Sequence, residues 1–353
     1  MNISITRTAA SRLPDTDLSA PGFGLIFSDH MMQAVYEDGV WSEPEIIPYA
    51  PLSMDPGNCM LHYGQGVFEG LKAFASEQNH INIFRPEMHY ARFNRSCKRL
   101  CIPEVPEHFF GEPLRDLLKL ERDWIPRQDG QAMYIRPFAF GDQSFLGVKP
   151  ASTYRFLTIL SPVGAYYAEG IKPVKLWASS EYVRAAVGGV GEAKTPANYA
   201  ASLYPARQAT DKGFTQVLWL DALEHKYIEE VGTMNIFFLI GNKLITSPLE
   251  GTILGGVTRL SVLALAREWG LDVEERKLSI DEVFQASREG TLKEVFGTGT
   301  AAVISPVGLI HYDGEEIQIT DEIGPMASRF YKYITDVQYG RSEDDHNWLT
   351  NVD

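Results

Sequence analysis

The stretch NIFFLI–GN–KLITS, residues 235–247, constrains the fold more than any other. Two apolar runs rich in aromatic and β-branched residues flank a two-residue Gly-Asn link, and such a link closes as a tight antiparallel hairpin. INIF (81–84), AMYIRPFAF (132–140) and TYRFLTIL (153–160) also read as strands, and QVLWLD with KYIEEVG reads as a strand pair around a short turn. Residues 86–100 read as a helix with Pro86 in its first turn. His89, Phe93, Cys97 and Leu100 share one face of it, and Arg92, Arg95 and Arg99 another. TRLSVLALAREW (258–269) is an amphipathic helix stopped by Gly270, and a last helix runs from near Pro325 to Gly340. Strands and helices mix without strict βαβ alternation, which predicts an α+β fold. The Pro- and Gly-bearing stretch SPVGAYYAEGIKP (161–173) is the candidate boundary between two domains. The expectation is a domain over 1–165, a linker over 166–174 and a β-rich domain over 175–353. Residues 1–20 read as a polar arm, and RSEDDHNWLTNVD as a polar tail.

At 353 residues the chain has room for two such domains. Its net charge of −14 argues against nucleic acid or an anionic membrane surface as a partner. Cys59, Cys97 and Cys101 form no C-x-x-C pair and lack His-rich surroundings. The expectation is therefore no metal, and free thiols in a reducing cytoplasm. The N-terminus lacks an apolar signal core, and no run on the order of 18 apolar residues predicts a membrane span.

Several stretches could carry chemistry. In GGVGEAKTPANYA (188–200) three glycines crowd the approach to Lys194. That amine is either a solvated loop lysine or a nucleophile held inside a site. In LGGVTRLSVLALAREW two glycines lead into a helix start, which is either an anion site or a loop capped by Thr258. EVFGTGTAAVISPVG (294–308) holds a Gly-Thr-Gly-Thr turn whose N–H groups and hydroxyls could nest an anion, or which is a plain tight turn. Arg92 either adds a charged fork or lies on a solvated helix face. Glu229 and Glu230 are adjacent on an apolar strand, so they point opposite ways. One should face the interior and need a cationic or N–H partner, unless both are solvated at a sheet edge. LHYGQGVFEGLKAF (61–74) and YIRPFAF could line an apolar pocket with a few hydroxyls, or simply pack the core. A lysine, an anion cradle, an inward glutamate and an aromatic pocket together suit pyridoxal phosphate, although spacing alone does not force that reading.

The set GEAKTPANYAASL, EEVGTMNIFF, ILGGVTR, EVFGTGTAAVISPV and HYGQGVFEGLKAF resembles the branched-chain amino-acid aminotransferases, members of the fold-type IV class of pyridoxal-phosphate enzymes. The resemblance runs from about Gly22 to Gly340. It implies a two-domain fold with a small N-terminal α/β domain and a larger cofactor-binding domain with a barrel-like β core. It implies that Lys194 is the Schiff-base lysine and proton carrier, that Glu230 holds the pyridine nitrogen and that Tyr199 bonds the 3′-oxygen. Arg92, the helix-start N–H groups of Val257 and Thr258, and Thr300 would hold the phosphate. Phe23, Tyr63, Phe68, Tyr134 and Tyr166 would form the aromatic substrate wall. Thr233 and the Thr300–Ala301 backbone would line the side-chain and carboxylate ends, and Arg136 would meet the second carboxylate of glutamate. Leu146 and Val148 lie in SFLGVKP, a loop that in relatives reaches the neighbouring subunit's site, so a homodimer is expected. The implied reaction moves the amino group of leucine, isoleucine or valine to 2-oxoglutarate.

D-amino-acid aminotransferases and aminodeoxychorismate lyases share the lysine and the glutamate. Chain length, FGLIFSDHMM and HYGQGVFEG favour the branched-chain group. A non-catalytic relative is disfavoured by the intact Lys194, Tyr199, Glu230, Arg92 and Thr300. Thr195-Pro196-Ala197 departs from the glycines that many members carry after the lysine, and the proline is expected to stiffen that loop.

Overall fold

The computed structural model describes residues 3–164 and 171–353. It divides into two compact units. The first comprises Met1–Ala168, Ala193–Pro196 and Asp336–Asp353; the second comprises Glu169–Glu192 and Ala197–Thr335. The short segment around Lys194 thus belongs with the first unit, while the chain on either side of it belongs with the second. The linker expected at 166–174 lies mostly outside the described residues.

The first unit contains strands β1 (Ser4–Ile5), β2 (His30–Glu37), β3 (Val40–Trp41), β4 (Glu45–Pro48), β5 (Gly66–Phe68), β6 (Leu71–Ala75), β7 (Ile81–Phe84), β8 (Ala132–Gly141) and β9 (Tyr154–Val163). They form a sheet in the order β1-β4-β2-β9-β8-β6-β7, with β3 on β2 and β5 on β8. Its spine is the antiparallel β8–β9 ladder, in register from Ala132↔Val163 to Gly141↔Tyr154. Helices α1 (Cys59–Tyr63), α2 (Pro86–Arg99) and α3 (Glu112–Leu120) complete the unit. The α2 helix starts on Pro86, whose fixed φ suits the first turn, and carries Glu87 there and Lys98 and Arg99 in the last turn, matching its dipole. It buries Phe93 and Cys97 against the core, where Phe93 meets Phe156 edge to face. The arginines do not share a fate. Arg95 and Arg99 are exposed, but Arg92 turns inward with His89 and Ser96.

The second unit contains α4 (Pro196–Asp211), α5 (Val257–Glu268), α6 (Ile280–Arg288) and most of α7 (Pro325–Gln338). Its strands are β10 (Val174–Ala178), β11 (Gln216–Leu220), β12 (Ile228–Val231), β13 (Met234–Ile240), β14 (Lys243–Thr246), β15 (Asp272–Glu275), β16 (Leu292–Gly299), β17 (Val303–Tyr312) and β18 (Glu315–Gln318). Strands β12-β11-β10-β17-β16-β13 close on themselves through the β12–β13 pairing, a small barrel without open edges along that path. The hairpin read from NIFFLI–GN–KLITS is β13–β14, with Gly241 at φ 62° in the turn, where a side chain would be strained. Almost every residue of β13 is buried, because both faces of the strand are covered.

Three expectations change. The C-terminal segment is not a loose tail: β19 (Leu349–Asn351) pairs antiparallel with β7, and Val352 is fully buried. The N-terminal arm is also docked. Ser4–Ile5 pairs parallel with β4, and Asp29 accepts from the Ser11 hydroxyl and the Arg12 N–H. Pro196 does not stiffen a loop but opens α4, where its missing N–H costs nothing. Deleting Leu349–Asp353 therefore bares the β7 edge and the site of Val352. It should destabilise the first unit by at least about 2 kcal/mol, read by denaturant unfolding; an unchanged midpoint would show that the segment is idle.

Candidate active site

Lys194 sits on backbone that is tied down on both sides. Its N–H donates to Ser96 Oγ (2.9 Å), and its carbonyl accepts from the Phe68 N–H (3.0 Å). The next residue, Thr195, is fully buried and donates its hydroxyl to the Gly66 carbonyl (2.8 Å). The Lys194 ammonium lies 5.1 Å from the Phe68 ring centre. The lysine is thus half-buried on a fixed segment of the first unit, not a solvated loop residue.

Beneath it lies a buried charged cluster that sequence reasoning missed. Glu69, fully enclosed, accepts from Arg92 Nε at 2.6 Å and Nη2 at 2.9 Å, from His89 Nδ1 at 2.8 Å and from the Gly70 N–H at 3.0 Å. Burial by itself raises the Glu69 carboxyl, but the charge and hydrogen bonds of Arg92, aided by His89, win and hold it well below the carboxylate range. Burial pushes the His89 imidazole down, against the hydrogen bond and charge of Glu69. The forked contact fixes the plane of the Arg92 guanidinium. The sequence signal was a lone acid in the apolar run GVFEGLKAF, but nothing local identifies its partner on α2.

The aromatic expectations divide into two places. Phe23 packs edge to face on Tyr134 with ring centres 5.1 Å apart. The Arg136 guanidinium lies 4.7 Å from the Phe68 ring and 5.2 Å from the Tyr134 ring, and donates to the Tyr134 hydroxyl at 3.0 Å. Its Nε is buried without a hydrogen-bond partner among the described residues. Phe23, Phe68, Tyr134, Arg136 and Lys194 therefore form one connected group. Tyr63 instead donates its hydroxyl to the Leu146 carbonyl, beside the exposed Leu146 and Val148. Tyr166 lies outside the described residues.

The second unit holds the other acid. Both Glu229 and Glu230 are buried, which corrects the expectation of only one facing inward. Glu230 Oε1 accepts from Asn235 Nδ2 at 3.1 Å and from the Leu254 N–H at 3.0 Å. Its Oε2 lies 2.9 Å from Arg184 Nε as an ion pair without hydrogen-bond alignment. Arg184 also donates to the Gly191 carbonyl at 3.2 Å and to the Thr252 carbonyl. Glu229 differs: burial raises its carboxyl, although a hydrogen bond from Thr252 and the charge of Arg184 oppose the shift.

Helix α5 begins at Val257 with Gly256 as its N-cap, so Thr258 lies in the first turn and does not cap it. No side chain caps that end, which leaves first-turn N–H groups to suit an anion. A Cβ on Gly256 would lie 2.0 Å from Asn235 Oδ1, so the glycine admits the carboxamide that holds Glu230. Thr300 and Ala301 form the turn from β16 to β17, followed by Val303 at φ 61°. A β-branched residue in that region stores about 1–3 kcal/mol of strain. Thr233 is exposed in the β12–β13 turn, and Tyr199 is half-buried on α4. Among the described residues no His, Cys, Asp and Glu cluster could hold a metal.

The Glu69 cluster and the Gly256 approach can each be tested by substitution. Glu69→Gln leaves Arg92 buried without its counter-charge and should cost about 3–5 kcal/mol of stability at pH 7. Glu69 is depressed in the fold, so its contribution is present above the ordinary glutamate value of 4.5 and is lost as pH falls below it. The gap between wild type and variant in urea unfolding should narrow on acidification, and a pH-independent gap contradicts this. Gly256→Ala should cost about 1–3 kcal/mol. Gly255→Ala, which meets only Leu249 Cδ1 at 3.4 Å, should stay within about 0.5 kcal/mol. Equal melting temperatures for the two variants would refute the close approach.

Comparison with known proteins identifies the family. The family model for amino-transferase class IV matches residues 66–310. Branched-chain-amino-acid aminotransferase 2 of Bacillus subtilis (strain 168) is 52% identical over 345 residues, covering 97% of this chain and 95% of its own. The branched-chain amino acid aminotransferase from Escherichia coli superposes with a TM-score of 0.72 at 27% identity, over 91% of this chain and 99% of that one. A T.th. branched-chain amino acid aminotransferase, complexed with N-(5'-phosphopyridoxyl)-L-glutamate, gives a TM-score of 0.72 at 28% identity, over 91% of this chain and 98% of that one. The fold is the fold-type IV one expected from the sequence, with the barrel in the second unit. With a match over most of its length and this level of identity, the chain belongs to the class IV aminotransferases and, within them, to the branched-chain amino-acid aminotransferase family.

Proposed function

We propose that this protein moves the amino group of L-leucine, L-isoleucine or L-valine to 2-oxoglutarate, giving L-glutamate and the branched 2-oxo acid, with pyridoxal 5'-phosphate held at Lys194. The observation that carries the substrate reading is Arg136 in its aromatic setting, with an unpartnered buried Nε. A site that takes an aliphatic and then an acidic side chain needs apolar walls and one cation with spare donor capacity. Phe23, Phe68 and Tyr134 supply the first and Arg136 the second, with Tyr63 and Tyr166 assigned to the same wall. Thr233 and the Thr300–Ala301 backbone are assigned to the side-chain and carboxylate ends of the substrate.

The cofactor reading rests on the donor set. In the first unit by itself, Arg92, held in plane by Glu69, has the donor chemistry for a phosphate; in the second by itself, so do the uncapped first turn of α5 at Val257 and Thr258 and the Thr300 hydroxyl, and the family resemblance assigns all of them to that role. Glu230, kept in place by Asn235, the Leu254 N–H and Arg184, suits a protonated ring nitrogen. Tyr199 is assigned to the 3′-oxygen. The ligand of the T.th. relative joins a phosphopyridoxyl group to glutamate, the same two components. When bound, pyridoxal phosphate supplies an aldehyde for an amine and a ring that spreads negative charge from the substrate's α-carbon. Lys194 would be the residue that holds the cofactor and, as base and then acid, would carry a proton to and from the substrate's α-carbon.

Leu146 and Val148 are 70% and 87% exposed, an apolar pair that suits burial against a second copy, and we assign the protein as a homodimer. Small soluble substrates and three free cysteines suit a cytoplasmic enzyme. No described helix is long and apolar enough to cross a membrane.

The test is a substrate panel on the reconstituted protein. L-Leucine with 2-oxoglutarate should yield glutamate, and Lys194→Ala should abolish that turnover. Reaction with D-alanine in place of L-leucine would refute the substrate assignment. Arg136→Gln should lower kcat/KM for 2-oxoglutarate by about 10–100-fold more than for leucine, as expected for losing a hydrogen bond to a charged group. Equal losses would remove Arg136 from acid recognition.

A further inference from the structure

We propose that Ser96 is a positioning residue for Lys194, one that fixes the direction of the amine by holding the peptide from which it grows. The inference rests on reading Lys194 as the reacting amine. Ser96 is 1% exposed, on the turn of α2 that follows Arg92. Its hydroxyl donates to the Arg92 carbonyl at 3.0 Å, the bond to the residue four back that helical serines make. That uses its single hydrogen, so toward Lys194 the oxygen can only accept, and the Lys194 N–H is 2.9 Å away. The polarity of the contact is thus fixed by the helix. One buried hydroxyl joins the peptide of the proposed phosphate-gripping arginine to the peptide of the proposed reacting lysine.

Two further ties on this segment come from β5: the Phe68 N–H to the Lys194 carbonyl and the Thr195 hydroxyl to the Gly66 carbonyl. Both lie on the C-terminal side of the Lys194 Cα, whereas the bond to Ser96 lies on the N-terminal side. Together they restrain the peptides that flank the α-carbon. With Ser96 removed, the peptide before Lys194 loses its tie to α2, although its carbonyl still accepts from the Thr195 N–H at 3.1 Å, while the peptide after it keeps its bond to β5. The four-carbon stem multiplies any tilt at Cα by its length, and a displacement of about 1 Å at a reacting atom can cost about 100-fold in rate.

The experiment compares Ser96→Ala with Ser96→Thr, which keeps the hydroxyl. Amide hydrogen exchange of the peptide spanning 193–196 is followed in the cofactor-free protein, where it reads the bond independently of any chemistry. Exchange should rise at least about tenfold in Ser96→Ala, in line with the loss of one buried hydrogen bond, and return toward wild type in Ser96→Thr. In the protein loaded with pyridoxal phosphate, kcat for leucine should fall by about 10–100-fold in Ser96→Ala. KM and cofactor affinity by dialysis should stay within about twofold, and Ser96→Thr should restore kcat. Where Ser96→Ala does not fold, Ser96→Cys, with a weakly accepting sulfur of similar size, is read the same way. Wild-type exchange at 193–196, or a kcat loss that threonine does not restore, overturns the proposal. Turnover retained in Lys194→Ala would instead overturn the function reading, and the exchange result would stand apart from it.

Discussion

Three hydrogen bonds, from Lys194 to Ser96, from Phe68 to Lys194 and from Thr195 to Gly66, fix the backbone from which the central amine projects. Everything else in the functional reading depends on them. A lysine side chain has four rotatable bonds and little intrinsic direction, so precision must come from its attachment point. Ala193–Pro196 groups with the first unit, the chain on either side of it groups with the second, and α4 starts at Pro196. Pro196 starts that helix with the φ a helix needs.

Two buried acids follow a common plan. Glu69 is enclosed by Arg92, His89 and a backbone N–H; Glu230 by Arg184, Asn235 and a backbone N–H. In each, several donors share the cost of desolvating the charge, and a forked or multiple contact sets the orientation. Such clusters add little net stability over well-packed apolar groups. Their effect is to make wrong geometries expensive. A displaced Arg92 or Glu230 would leave a buried charge without its partner.

The parts of the fold legible in the sequence are those set by local rules. The β13–β14 hairpin follows from its Gly-Asn turn, and α2 and α5 from their apolar spacing and terminal residues. α4 was missed because leucine and tyrosine at 203 and 204 are exposed, Pro205 lies inside it and its apolar spacing is weak. β19 and the docked N-terminal arm were missed because short polar edge strands carry no period, and their partners are remote in sequence. At the site, Lys194 and Arg92 were candidates from local residue chemistry and Glu230 was one of two candidate acids; the family motifs then gave them their roles. The residues that hold them, Ser96, Arg184, Asn235 and Glu69, were not named, since each meets its partner only through tertiary folding. The supposed solvated face of α2 failed at Arg92 for the same reason: an acid on another element draws it inward.

The most direct measurement is borohydride reduction of the protein reconstituted with pyridoxal phosphate, followed by peptide mapping of the labelled lysine. Within the first unit the rival amine is Lys72, buried in β6, where burial brings its ammonium down to about 8. Lowering an ammonium toward neutral pH makes more of the nucleophilic amine available, so the comparison is a fair one. The account predicts the label on Lys194 alone. A label on Lys72, or on no lysine, would contradict it.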